Sequence, residues 1–183
     1  MQRLSRYKPH RRTVLKWTHG IMIPLFVWFM LVTPDTVVPL GGPWFAIHSN
    51  LALVFVSICL AWTAGLMRRG LASRPGPKLQ GWARAIHRPL HLTIIWGLFL
   101  VALGGFLLGL TSFVQLKAGL WLPIAPPMGW RAANEIIGTL HIYQFYLLGV
   151  VIAGHAAYHI WRHVKLRDNA LRIMAPKALH RFL

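Results

Sequence analysis

The sequence predicts an all-α fold: a four-helix transmembrane bundle, one domain occupying the whole of residues 1–183. Three observations predict it. Hydrophobic residues make up 56% of the chain and charged residues 13%, where soluble domains carry about a quarter charged. Four apolar stretches are each long enough to cross a bilayer. The basic residues gather in three of the five segments that those stretches leave.

The stretches run over residues 17–33, 45–67, 90–114 and 136–161, which is 17, 23, 25 and 26 residues. At 1.5 Å of rise per residue, about 20 residues cross the ~30 Å hydrocarbon layer. Each run is continuous rather than alternating, which argues against a β-barrel. The first follows a basic N-terminus, as a signal peptide would. Only Thr33-Pro34-Asp35 follows it, with no small-x-small cleavage signal, so the span is expected to be retained. Pro24 lies inside it and predicts a kink of the kind that membrane helices tolerate.

Segment 1–16 holds six basic residues (Arg3, Arg6, Lys8, Arg11, Arg12, Lys16), segment 68–89 six more, and the tail from Arg162 to Arg181 another six. Loop 34–44 holds none, and loop 115–135 only Lys117 and Arg131. Lysine and arginine are retained on the cytoplasmic side, so both termini and the central loop are expected to face the cytoplasm. Topology and contact with the anionic headgroups of the lipid bilayer thus account for the +17 charge, and nucleic acid is not a predicted partner. Three acidic residues (Asp35, Glu135, Asp168) leave almost no room for paired-carboxylate catalysis. Cys59 is the only cysteine, which excludes an internal disulfide, a zinc–thiolate cluster or an iron–sulfur centre.

The chemistry rests with ten histidines. Several fall inside the spans, where ionisable groups are costly and usually functional. His19 is near the inner end of the first span and His48 near the outer end of the second. The fourth holds His141 in its outer half and His155 and His159 in its inner half. Fourteen residues separate His141 from His155, only 40° short of four full turns, so the two share a face about 21 Å apart along the axis. Each side of the bilayer is thereby offered two imidazoles from different helices. Such pairs suit the axial ligation of haem iron. With both axial positions filled the iron passes electrons and binds nothing else, and two such sites make a path across the membrane.

A lone membrane histidine would be an interhelical hydrogen bond or a relay for protons. Four at paired depths favour two haems b, held non-covalently because the chain has no Cys-x-x-Cys-His. The arginines near the inner face would partner the propionates. Zinc or copper is a weaker expectation, because catalytic zinc takes three or four ligands at one spot. His155 and His159, four residues apart, do resemble a metal clip, with no nearby carboxylate or cysteine to complete it.

Helical spacing leaves His155 and His159 both on the haem-facing side, and depth leans slightly towards His159. Against it, a separation of about 27 Å from His141 would push the two haems to the extremes of the hydrocarbon layer. Gly154, Ala156 and Ala157 leave space around His155, while Tyr158, Ile160 and Trp161 crowd His159. His155 is the expected ligand, with His159 beside it or at the interface.

The chain resembles the bacterial cytochrome b561 family, which includes a di-haem superoxide oxidase. The resemblance rests on Lys16-Trp17-Thr18-His19, on Phe45-Ala46-Ile47-His48, on the fourth-span histidines fourteen apart, and on Gly154-His155-Ala156-Ala157 with the stretch Leu166-Arg167-Asp168-Asn169-Ala170-Leu171-Arg172-Ile173-Met174-Ala175-Pro176. It runs from about residue 12 to 177. It implies His19 with His155 as axial ligands of an inner haem b and His48 with His141 as those of an outer one, and ubiquinone as a partner of one haem. Leu140 stands where the superoxide oxidase has a tryptophan before the outer ligand. The same fold serves as the b subunit of hydrogenases and other membrane oxidoreductases, whose electron donor is a soluble or membrane partner protein. The functional expectation is therefore electron transfer across the membrane and to or from the quinone pool, with superoxide or a redox partner as donor. A haem-bearing subunit of a larger complex and a haem-free scaffold are the alternatives.

Smaller features read as structure. Gly105 and Gly109 form a GxxxG spacing that suits close helix packing. Trp17, Trp44, Trp121, Trp130 and Trp161 fall near span ends, as an interfacial belt would. His87 and His91 precede or open the third span, where they could face a quinone headgroup or lipid phosphate. Gly81–His91 reads as a short amphipathic lead into that span, and Arg167-Asp168-Asn169 as a local ion pair and helix stop.

Overall fold

A computed structural model of the chain describes residues 11–118, 122–175 and 180–181. Arg3, Arg6, Lys8, Trp121 and Pro176 lie outside the described residues. The elements in order are α1 (Arg11–Leu31), α2 (Pro34–Val37), a 3-10 turn (Val38–Leu40), α3 (Gly42–Arg69), α4 (Gly81–Thr111), β1 (Leu116–Ala118), β2 (Leu122–Ala125), α5 (Arg131–Trp161), a π-turn (Arg162–Leu166) and α6 (Ala170–Met174). The helices α1, α3, α4 and α5 are long and apolar enough to cross a membrane. They correspond to the four expected spans.

Two differences from the expected elements have physical reasons. The third span begins at Gly81, so Gly81–His91 is the opening of α4 itself. Pro89 lies inside this helix and deletes one backbone bond. Ala83 and His87 before it are buried at 2% and 1% exposure, so packing carries the helix through the proline. The connection between α4 and α5 is not plain loop: β1 and β2 form an antiparallel hairpin pairing Leu116 with Ala125, Lys117 with Pro123 and Ala118 with Leu122. The all-α expectation omits it, because strands of three and four residues that include Pro123 show no alternating pattern.

The helices are arranged in the order α1, α3, α4, α5 around the bundle, with α5 returning to α1. The closest packing is between α4 and α5, in one antiparallel register over their whole length. From one end to the other, Ala83 meets Tyr158, His91 meets His155, Gly97 meets Leu148, Gly104 meets His141, and Leu108 meets Gly138 and Asn134. Small residues set this closeness. A Cβ on Gly97 would stand 2.8 Å from Leu148 Cδ1. The core between the four helices is formed by Met22, Leu25, Phe26, Phe55, Cys59, Leu98, Val101, Ala102 and Leu148. Outside it, large apolar side chains such as Leu31, Val27, Leu100, Leu147 and Val150 are exposed, which is the surface a lipid-facing bundle presents.

At the basic end the termini and the α3–α4 connection are tied together. Lys16 Nζ donates to the carbonyls of Arg172 and Ala175, and Lys78 Nζ to those of Leu166 and Arg167. Tyr158 Oη donates to Ala83 O at 2.7 Å, and Leu79, Ala83 and Tyr158 form a second small core. These ties fix the height at which the histidines of α4 face those of α5. Trp17, Trp44 and Trp130 are exposed near helix ends, in keeping with an interfacial belt.

Candidate functional site

The histidines form two groups, one towards the basic end of the bundle and one towards the hairpin end. In the first, the structure brings together residues that are far apart in the sequence. The rings of His155 and His159 lie 4.4 Å apart, and His91 of α4 stands edge-on to both, at 4.9 and 5.5 Å. One ligating atom from each of the three lies within 4.8 Å of the others. His87 stacks behind, its ring 4.4 Å from that of His91, and is hydrogen-bonded through Nε2 to Ser73 Oγ at 3.1 Å. His19 stands across from this group on α1, within Coulombic reach of His91, His155 and His159.

Two of these imidazoles have their protons fixed by the backbone. His91 Nδ1 is 2.6 Å from His87 O and His19 Nδ1 is 3.1 Å from Leu15 O. A carbonyl oxygen only accepts, so both nitrogens carry the proton and both Nε2 atoms present a lone pair. That is the arrangement by which a metal-bound imidazole is oriented. His19 is held further by the Trp62 ring at 4.8 Å, and Trp62 Nε1 donates to Thr18 Oγ1 at 3.1 Å. Thr18, within the sequence motif around His19, thus ties α1 to α3 beside the imidazole.

The second group is looser. His48 on α3 meets Phe29 edge-on at 5.0 Å, and His141 on α5 meets Phe145 at 6.0 Å. Phe29 and Phe145 meet edge-on at 6.5 Å, so His48, Phe29, Phe145 and His141 form a continuous chain of ring contacts. With Phe26 and Phe55 these rings form an aromatic layer between the two histidine levels. His141 lies flat on α4: a Cβ on Gly104 would stand 2.9 Å from its Nδ1, and one on Gly105 3.4 Å from its Cε1. Gly105 of the GxxxG pair therefore makes room for a candidate ligand, while Gly109 makes room for Leu116 of β1. Gly105 thus meets a neighbouring helix, as close helix packing predicts, while Gly109 meets the hairpin instead.

The Nδ1 atoms of His48, His141 and His155 are buried with no hydrogen-bond partner, as is His159 Nε2. An unpartnered buried nitrogen costs about 1–3 kcal/mol, so an arrangement holding several in one bundle points to a ligand that uses them. An imidazole donor set fits low-spin haem iron. The carboxylate-poor surroundings and the arginines Arg68, Arg69, Arg84 and Arg88 at the basic end fit an anionic, apolar macrocycle.

His91 is the residue that the sequence reading does not place in the site. His87 and His91 are four apart, and the signal was there, but the partner helix lies more than sixty positions away and no local period shows it. Arg167-Asp168-Asn169 does end the helix, with Arg167 and Asn169 in the left-handed region at φ 48° and 57°. The ion pair of Asp168, however, is made with Arg162 and not with Arg167. No model of a known protein family matches the chain, and no curated protein does.

Proposed function

We propose that the chain is a di-haem b electron-transfer protein of the bacterial inner membrane, with both termini cytoplasmic, passing electrons across the bilayer and to or from the quinone pool. His19 and His155 would hold the inner haem, and His48 and His141 the outer one. One observation carries the reading: α5 places part-buried imidazoles at two levels, and each level has a second imidazole on another helix. Haem supplies a one-electron couple that needs no proton at the iron. The protein's own part is orientation and exclusion. Leu15 O and Trp62 fix the His19 ring, Gly104 and Gly105 give the His141 ring its place, and the phenylalanine layer keeps water from the midplane.

The outer hairpin supports a redox partner or a small donor such as superoxide on that side. Phe113, Val114, Leu122, Ile124 and Met128 are exposed there, and Lys117 and Arg131 are its only cations. Superoxide as the donor would draw on Lys117, since Arg131 is paired with Glu135 at 2.8 Å, and a partner protein on the apolar side chains. Pyridine haemochrome analysis of the purified chain tests the reading. Two haems b per chain are expected; one or none overturns the double site. Turnover of a soluble quinone by the isolated chain separates a stand-alone oxidoreductase from a subunit that needs its complex.

A further inference from the structure

We infer that His91, His155 and His159 form a binding site for a divalent transition metal of the zinc class, filled when no haem occupies His155. The inference goes beyond the electron-transfer reading and does not require it. It stands on geometry. Three imidazoles from two helices bring one ligating atom each to within 4.8 Å of one another. A tetrahedral site with metal–nitrogen bonds of about 2.1 Å has its ligand atoms about 3.4 Å apart, so the three atoms have at most about 1.4 Å to close. All three residues are part-buried.

The chemistry agrees. Imidazole suits zinc, copper, nickel and iron, and three protein ligands with one open position make an exchangeable zinc site. The i, i+4 clip on α5 lacks a third ligand in the sequence alone, and α4 supplies it. His91 is already in the ligating tautomer, because its Nδ1 donates to His87 O at 2.6 Å. His155 Nδ1 and His159 Nε2 are buried without partners, so no hydrogen bond has to be broken at those atoms. The nearest buried cation, Arg162, is neutralised by Asp168 at 2.6 Å, which reduces its repulsion of a dication. A cavity of about 460 Å³, lined by Ser73, His87 and Arg88 among others, lies one imidazole away from His91 and opens to the surface.

Because His155 is common to both occupants, metal and inner haem exclude each other. The test is equilibrium dialysis of the full-length detergent-solubilised chain against Zn²⁺, with zinc and haem counted on the same samples, from cells grown with and without haem supply. One zinc per haem-free chain is expected, with none at this site in chains carrying two haems. His91→Gln and His159→Gln keep side-chain volume and polarity, and each should weaken zinc binding at least ~10-fold, a loss that even outer-shell changes reach. His141→Gln should not change it. Zinc binding that is unchanged in the His91→Gln/His159→Gln double variant overturns the site, as does full zinc binding alongside two haems. If the chain takes no haem under any supply and the two glutamine variants still lose zinc, the haem reading falls and the metal site stands.

Discussion

Arg162 holds Asp168 by two nitrogens on one oxygen, Nε at 2.9 Å and Nη2 at 2.6 Å from Oδ2. The side chains are only 4% and 5% exposed. The other carboxylate oxygen accepts from Ala170 N–H at 3.0 Å, so the same aspartate starts α6. Arg162 also lies over the Tyr158 ring, and a Cβ on Gly76 would stand 3.3 Å from its Nη2. One buried pair thus joins the end of α5, the α3–α4 connection and α6 at the height of the inner histidines. Asp168→Asn keeps the acceptor for Ala170 but leaves the guanidinium buried and unpaired. Breaking a buried pair on one side costs about 3–5 kcal/mol. Thermal unfolding in detergent should show a large fall in Tm for this variant, and a smaller one for Arg162→Met combined with Asp168→Leu, where no charge is stranded. Equal stability of wild type and Asp168→Asn would refute the role given to the pair.

Gly104 carries the second prediction. A methyl added there would meet His141 Nδ1 at 2.9 Å and Gln144 Oε1 at 3.1 Å. Gly104→Ala should push His141 from its place and destabilise the outer level by about 1–3 kcal/mol, the usual cost of overpacking. Haem counting should then show loss or altered spectrum of one haem only. Gly65→Ala is the control, since its Cβ would meet only the flexible end of Arg69 at 3.7 Å. A Gly104→Ala protein with two unaltered haems would show that the ring has room to spare.

Topology is testable on residues whose exposure is known. Thr36 and Lys117 are exposed near the hairpin end, Arg74 and Arg84 near the basic end. Replaced singly by cysteine in intact cells, the first two should react with an impermeant thiol reagent and the last two should not. Cys59 is 1% exposed and should give no background. Reaction at Arg74→Cys alone would reverse the orientation inferred from charge.

The bundle was legible because the length and continuity of apolar runs need no knowledge of neighbours. The spacing of His141 and His155 was legible for the same reason: one helix sets it. What could not be read is contact between elements. His91 reaches His155 only because Gly97 under Leu148 and Gly104 under His141 hold α4 and α5 in one register, and no periodicity within either helix states that register. Asp168 chooses Arg162 over its neighbour Arg167 because a π-turn and a left-handed residue bring the chain back on itself. The hairpin could not be read because its strands are only three and four residues long and Pro123 interrupts the alternation that marks a strand.

The last prediction separates His155 from His159, which share a face of α5 and differ by one turn. Depth alone favours neither strongly, and their rings lie 4.4 Å apart. Surroundings divide them. Gly154 has nothing within 4 Å of the place a Cβ would occupy, and Ala156 and Ala157 are exposed and small, so a macrocycle can approach His155 from its flanks. His159 is packed edge-on by Tyr158 at 5.2 Å, and Tyr158 cannot move without giving up its hydrogen bond to Ala83. His91 lies against both rings and does not divide them. His155→Ala is therefore expected to lose the inner haem and keep the outer one, since the two levels stand about 21 Å apart along α5. His159→Ala should keep both haems, low-spin, and in its haem-free form should bind zinc more weakly than the haem-free wild type. The two substitutions together distinguish an iron ligand from a residue that serves only the metal. A His155→Ala protein with two low-spin haems, beside a His159→Ala protein with one, would transfer the inner iron to His159.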